Sequence, residues 1–184
     1  MTTDSAIIRR SLDDPSAFGA LFDRHARDIG VYARQRVGAE GAQDVLSETF
    51  LVAFRRRASF DHAWESARPW LFGIATRLVR AHRADQARQW RAIEAAAGVV
   101  DADSDGGLAR ADERTDAAVR ARALAGRIAH LAARDRDTLL LYAWSDLTYE
   151  EIAAALRVPV GTVRSRLHRV RRLLADEREE GDDG

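Results

Sequence analysis

The sequence predicts an all-α protein built as two small helical domains joined by a flexible acidic linker. Two observations carry this. Apolar residues recur at three- and four-residue spacing in both halves, and no segment shows the period-two alternation of a half-buried strand. Between the halves the stretch AAAGVVDADSDGGLARAD, Ala95 to Asp112, is small, acidic and aperiodic, which is the composition of a tether. The boundaries that follow are 14–93 for the N-terminal domain, 94–113 for the linker, 114–177 for the C-terminal domain and 178–184 for an acidic tail.

Asp14-Pro15-Ser16 is a helix-start signal, because proline is tolerated in a first turn. Behind it Phe18, Leu21, Phe22, Ile29, Tyr32 and Val37 repeat at helical spacing until Gly38 and Gly41 interrupt. A second helix is expected from about Gln43 to Arg57, with Val45, Leu46, Phe50, Leu51 and Phe54 apolar. A loop to Arg68 holds Phe60, His62 and Trp64, and Pro69 then opens a third helix running to about Arg91. In the second half the same period predicts helices near 115–130, 134–144, 149–156 and 160–177.

Composition excludes several function classes. The 184 residues are 46% apolar and 32% charged with zero formal net charge, as expected of a globular protein with a real core. No apolar run approaches the length of about 18 residues that a bilayer requires, and MTTDSAIIRRSLDD lacks the apolar centre of a signal peptide. The expectation is a cytoplasmic protein without membrane insertion. Cysteine is absent, which removes disulfides, thiolate catalysis and thiol-based zinc sites. The histidines His25, His62, His82, His130 and His168 show no ligand spacing, and no glycine-rich phosphate loop or nucleophile elbow exists. No catalytic residue, metal, cofactor or small-molecule substrate is therefore expected.

The sharpest chemical signal is LTYEEIAAALRVPVGTVRSRLHRVRRLL, residues 147–174. Thr148 and Glu151 have capping-box spacing at the head of a short helix. Ile152 and Leu156 form its inner stripe, and Ala153 is small enough for a close crossing. Arg157-Val158-Pro159 ends it. In the next helix Val163, Leu167, Val170 and Leu174 make one apolar stripe. The opposite face carries Ser165, His168, Arg169 and Arg172, flanked by Thr162, Arg164, Arg166 and Arg171. Between Val158 and Arg172 there are five arginines and no acid, although the chain as a whole is neutral. Two helices crossing at a tight turn, with a basic polar face on the second, are the helix-turn-helix arrangement that enters a DNA major groove. Arginine suits it, because its planar fork bonds both acceptors of guanine while further arginines neutralise phosphates.

These residues also carry a resemblance. VPVGTVRSRL and the upstream ARDRDTLLLYAWSDLTYEEIA resemble the C-terminal domain of extracytoplasmic-function (ECF) sigma factors, the short alternative sigma subunits of bacterial RNA polymerase. AFGALFDRHARDIGVYARQRVGAEGAQDVLSETFLVAFRRRASFD followed by RPWLFGIATRLVRAHR resembles the promoter-melting domain of the same family, so the likeness runs from about Ser16 to Glu177. It implies a protein that binds core RNA polymerase, recognises minus-35 and minus-10 promoter elements, and initiates transcription of a stress or envelope-response regulon. It implies that Asp44, Glu48, Phe50, Leu51 and Phe54 dock on a coiled coil of the largest polymerase subunit, with the polymerase flap a second contact. The minus-10 strand would fall to Arg56, Arg57, Phe60, Trp64, Arg68, Trp70, Arg77, Arg80 and Arg83, since flat rings stack on unpaired bases and arginines hold phosphates. The minus-35 element would fall to Thr162, Arg164, Ser165, Arg166, His168, Arg169, Arg171 and Arg172, with Arg164, Ser165, His168 and Arg169 reading bases. The linker would follow a nucleic-acid path through the polymerase, and an anti-sigma protein would hold the factor inactive. Arg77 stands where many members have asparagine, Ser47 where glutamine is frequent, and Arg157 at a turn position that commonly holds glycine because it often needs positive φ. The alternative is a stand-alone helix-turn-helix regulator with an N-terminal sensor or dimerisation domain, which would bind a palindromic duplex unaided.

Overall fold

A computed structural model describes residues 2–97 and 116–175, and every regular element among them is helical. The bulk of the expected linker and the acidic tail lie outside the described residues.

The first element precedes the expected domain start. Helix α1 (Asp4–Asp13) begins at Thr3, whose side chain accepts from the Ala6 amide at 3.2 Å, and it buries Ile7 and Ile8. Its first residue fastens it: the Asp4 carboxylate accepts from Arg24 (2.9 Å), His25 Nε2 (2.7 Å) and the Ala67 amide (2.9 Å). Asp14 then accepts from the Ser16 amide and opens a 3₁₀ turn, Pro15–Phe18, as the Asp-Pro-Ser signal requires.

Helix α2 (Gly19–Arg56) is two arms joined at Gly38, whose φ of 77° and ψ of −179° no other residue of the helix shares. Glycine takes that conformation without the penalty a Cβ imposes. The break falls where the sequence places it, but Gly41 is helical and the second arm starts at once rather than near Gln43. After the 3₁₀ turn Arg57–Ser59 comes helix α3 (Arg68–Ala97), which extends past the expected end near Arg91 and into the segment assigned to the linker. Leu71, Phe72, Ile74, Ala75 and Val79 form its buried stripe against α2, where Tyr32 meets Phe72 edge to face at 5.3 Å.

The C-terminal half comprises α4 (Asp116–His130), α5 (Ala133–Trp144), α6 (Tyr149–Leu156) and α7 (Val160–Ala175), close to the expected spans. Val163, Leu167 and Val170 are buried, as their spacing implies. The two halves do not stand apart. One buried cluster runs from Ile7 and Ile8 through Leu71, Phe72 and Ile74 to Leu141, Ile152, Ala155, Val163 and Leu167, with α6 packed on α3.

Candidate nucleic-acid interface

The helix-turn-helix is assembled locally. Thr148 Oγ1 accepts from the Glu151 amide at 3.2 Å and the Glu151 carboxylate accepts from the Thr148 amide at 2.8 Å, so the expected capping box is complete. Arg157 ends α6 in the left-handed conformation, φ 56° and ψ 51°. Pro159 then leads into α7, its carbonyl accepting from the Thr162 amide at 2.9 Å. On α7 the side chains of Arg164, Ser165, His168 and Arg172 are exposed, and Thr162 and Arg166 are half-buried. Three of the basic residues lean on α5. Arg169 donates to the buried Asp135 at 2.8 Å, Arg166 approaches Thr138 at 3.5 Å, and the Arg171 guanidinium lies 5.9 Å from the Tyr142 ring centre. Arg164, His168 and Arg172 make no intramolecular hydrogen bond or ion pair among the described residues. They form the part of the face that is ready for a ligand.

A second surface lies between the loop before α3 and the start of that helix. Arg56, Ser59, Phe60, Asp61, Trp64, Ser66, Pro69 and Trp70 line a cavity of about 310 Å³, completed by Ala154 and Arg157 from the other half. Phe60 is buried and meets Trp70 edge-on at 5.2 Å, so it supports the wall while Trp64 and Trp70 present half-exposed rings. The structure thus brings Arg56, Phe60, Trp64 and Trp70 together. Arg77 stands close to Arg56, Arg80 and Arg157; burial first, and then these three like charges, lower its pKa. Arg83 is lowered by burial and by Arg136 and Arg36.

Other expected contacts are already engaged. Arg57 turns inward, its guanidinium 4.0 Å from the Phe54 ring centre and donating to the carbonyls of Ser11 and Phe54. Arg68 bridges Asp28 (2.9 Å) and the Ser145 carbonyl (2.6 Å), and Arg80 pairs with Asp137.

A third surface follows the second arm of α2. Asp44, Glu48 and Leu51, spaced four and three apart, share one exposed face. Phe50 and Phe54 do not: Phe50 is buried against Phe22 (4.8 Å between ring centres), and Phe54 meets Phe18 at 5.4 Å. Phe22, counted by the sequence pattern only among the apolar repeats of the first helix, is 43% exposed and lies against Phe50 beside that face. Sequence reasoning also missed Arg36, Asp135 and Asp137. The two acids alternate with arginines in ARDRD, which looks like a solvated helix start, and no local signal marks Arg36 as buried.

Comparison with known proteins follows this division. Residues 21–89 match the family model for sigma-70 region 2, and residues 121–174 that for sigma-70 region 4. The chain is 31% identical over 150 residues to the ECF RNA polymerase sigma factor SigL of Mycobacterium tuberculosis, covering 81% of each chain. The chain belongs to the ECF sigma factor family. It is also 29% identical over 176 residues to the ECF RNA polymerase sigma-E factor of Escherichia coli, covering 92% of this sigma factor and 91% of that one. Two solved structures share its fold. CnrH, in complex with the cytosolic domain of CnrY, has a TM-score of 0.65 at 22% identity over 98% of this chain and 99% of CnrH. The sigma factor RpoE of Bartonella quintana, in complex with the anti-sigma factor NepR, has a TM-score of 0.57 at 21% identity over 86% and 94%. The basic face of α7 falls within the region 4 match of this sigma factor, and the aromatic rings of the cavity within its region 2 match, while Ala154 and Arg157 of the cavity wall belong to the region 4 match.

Proposed function

We propose that this alternative sigma factor engages a promoter at two places and RNA polymerase at a third, and makes or breaks no bond itself. The exposed face of α7 reads the minus-35 element, with Arg164, Ser165 and His168 on bases and Arg172 on phosphate. Arg166, Arg169 and Arg171, tethered to α5, orient α7 and reach backbone phosphates. The cavity at Trp64 and Trp70 takes an unpaired base of the minus-10 strand, with Arg56, Arg77 and Arg80 along its phosphates. Asp44, Glu48 and Leu51, with Phe22 beside them, dock on core polymerase; an apolar centre with charged neighbours is a common interface anatomy. The observation that carries this reading is the pairing, in one chain, of a helix-turn-helix whose polar face is open with a separate aromatic cavity ringed by arginines. A sensor or dimerisation domain has no use for the second. Such a subunit works in the cytoplasm, and the complexes formed by the structural relatives support an anti-sigma protein as its regulator.

The test is transcription with purified components. Core polymerase plus this protein should initiate at a discrete set of sites on fragmented genomic DNA, sharing two sequence blocks. Absence of any new start site with active core enzyme overturns the proposal.

A further inference from the structure

Helix α1 supplies no wall to the aromatic cavity, yet it fastens the segment that does. Between the 3₁₀ turn Arg57–Ser59 and the start of α3 the chain forms no regular element, and this loop contributes Phe60, Asp61, Trp64 and Ser66 to the cavity. Its own bonds are local. The Phe60 amide donates to the Arg57 carbonyl at 3.2 Å, the Ala63 amide to the Asp61 carboxylate at 3.0 Å, and the Trp64 amide to the Asp61 carbonyl at 3.1 Å. Turns of that kind bend a chain, but they do not fix where the bend lies against the rest of the fold.

Bonds from α1 do that, and they reach both ends and the middle of the loop. At its start Arg57 Nε donates to the Ser11 carbonyl at 3.2 Å. In the middle the Ser5 hydroxyl is hydrogen-bonded to His62 Nδ1 at 2.9 Å. Towards the end the Ser5 amide donates to the Glu65 carbonyl at 3.2 Å, and the Ala67 amide donates to the Asp4 carboxylate at 2.9 Å. Asp4 is tied in turn to α2 through Arg24 and His25. Two adjacent buried residues therefore refer the loop to the body of the N-terminal half. The path continues through rings: His62 meets Phe60 edge-on at 5.3 Å, and Phe60 meets Trp70 at 5.2 Å.

We propose that Asp4 and Ser5 are positioning residues for single-stranded DNA: α1 holds the loop from behind and sets the place of Trp64 against Trp70. The proposal rests on the reading of that cavity as the minus-10 site. A base that stacks on these rings gains most when they are already in place, because ordering a loose loop at the moment of binding subtracts from the stacking. Bonds made to α1 during folding remove that cost beforehand.

Ser5→Ala deletes one of these bonds and leaves Ile7 and Ile8 to seat α1 in the core. His62→Ala deletes the same bond from the side of the loop. The chain has four tryptophans, so fluorotryptophan incorporation gives four fluorine resonances, assigned by replacing each tryptophan in turn with phenylalanine. In both variants the Trp64 resonance should shift and broaden. That of Trp90, about 30 Å along α3 from Trp70, should stay where it is. Holoenzyme reconstituted with core polymerase and either variant should bind a fluorescein-labelled, mixed-sequence single-stranded oligonucleotide about fivefold more weakly, the scale of one lost hydrogen bond. On a Trp64→Ala background Ser5→Ala should weaken binding no further, since both changes act on one contact. An unmoved Trp64 resonance in two folded variants, or equal changes at Trp64 and Trp90, overturns the fastening. A moved resonance with unchanged affinity, or a Ser5→Ala loss that persists in full without Trp64, overturns the role in binding. A wild-type holoenzyme that ignores the oligonucleotide strikes the reading of the cavity instead, and the fluorine spectrum still decides the fastening, because it is recorded without DNA.

Discussion

Among single residues, Arg157 is the clearest case of local cost. It holds a left-handed conformation that glycine adopts freely, and it stands among other arginines. Arg157→Gly should raise unfolding stability by about 1 kcal/mol in urea titration, the penalty typical of a non-glycine residue there. The sequence announced this position through the glycine common in the family, and the backbone has the positive φ. The α7 arginines are divided by what the structure already attaches them to. Arg164→Ala should relax preference at one base pair, costing about 1–3 kcal/mol against the best site. Arg169→Ala, whose guanidinium is held by Asp135, should weaken binding evenly across sequences. Binding measured on a site library separates the two, and a base-specific effect of Arg169 would reverse the assignment. Nothing in VRSRLHRVRR distinguishes these side chains, because the distinction is made by Asp135, Thr138 and Tyr142 on another helix.

At the level of elements, α1 shows where pattern reading stops. Its apolar content is little more than Ile7, Ile8 and Leu12, too little for a period, and what fixes it is Asp4 meeting His25, Arg24 and the Ala67 amide from elsewhere in the fold. Burial alone would raise the Asp4 pKa; the bonds to His25 and Ala67 and the charge nearby outweigh it and hold the carboxyl well below the usual range. A depressed pKa gives stability that is complete above the unfolded value of about 3.9 and is lost as pH falls toward the folded one. Protection factors in α1, taken relative to the intrinsic exchange rate at each pH, should therefore fall from pH 5 to pH 3 ahead of those in α3. Asp4→Asn should flatten that dependence and cost about 2 kcal/mol at pH 7. The longer helices were legible from apolar spacing, and the elbow at Gly38 from glycine alone. The overrun of α3 to Ala97 was not, since AIEAAA continues a helix as readily as it begins a tether.

Over the whole molecule the sequence resolved two halves and left their relation open. Arg36 and Asp137 lie 101 residues apart, and each looks like a surface charge in its own neighbourhood. Only the fold brings them into one dry site. Because a single buried cluster spans both halves, heat should melt the wild type in one calorimetric transition. Gly73→Ala should split that transition into two, with the N-terminal half melting no lower than before. A single transition in that variant would mean that the halves cohere without the α3–α6 crossing. Residue 73 has a practical use as well. Since the nearest atoms a Cβ would meet there are those of the Ala155 backbone, replacements of increasing bulk form a graded series of spacers. The spacing between α3 and α6 could be tuned by size alone, leaving every aromatic ring and every charge of the two surfaces in its native chemistry.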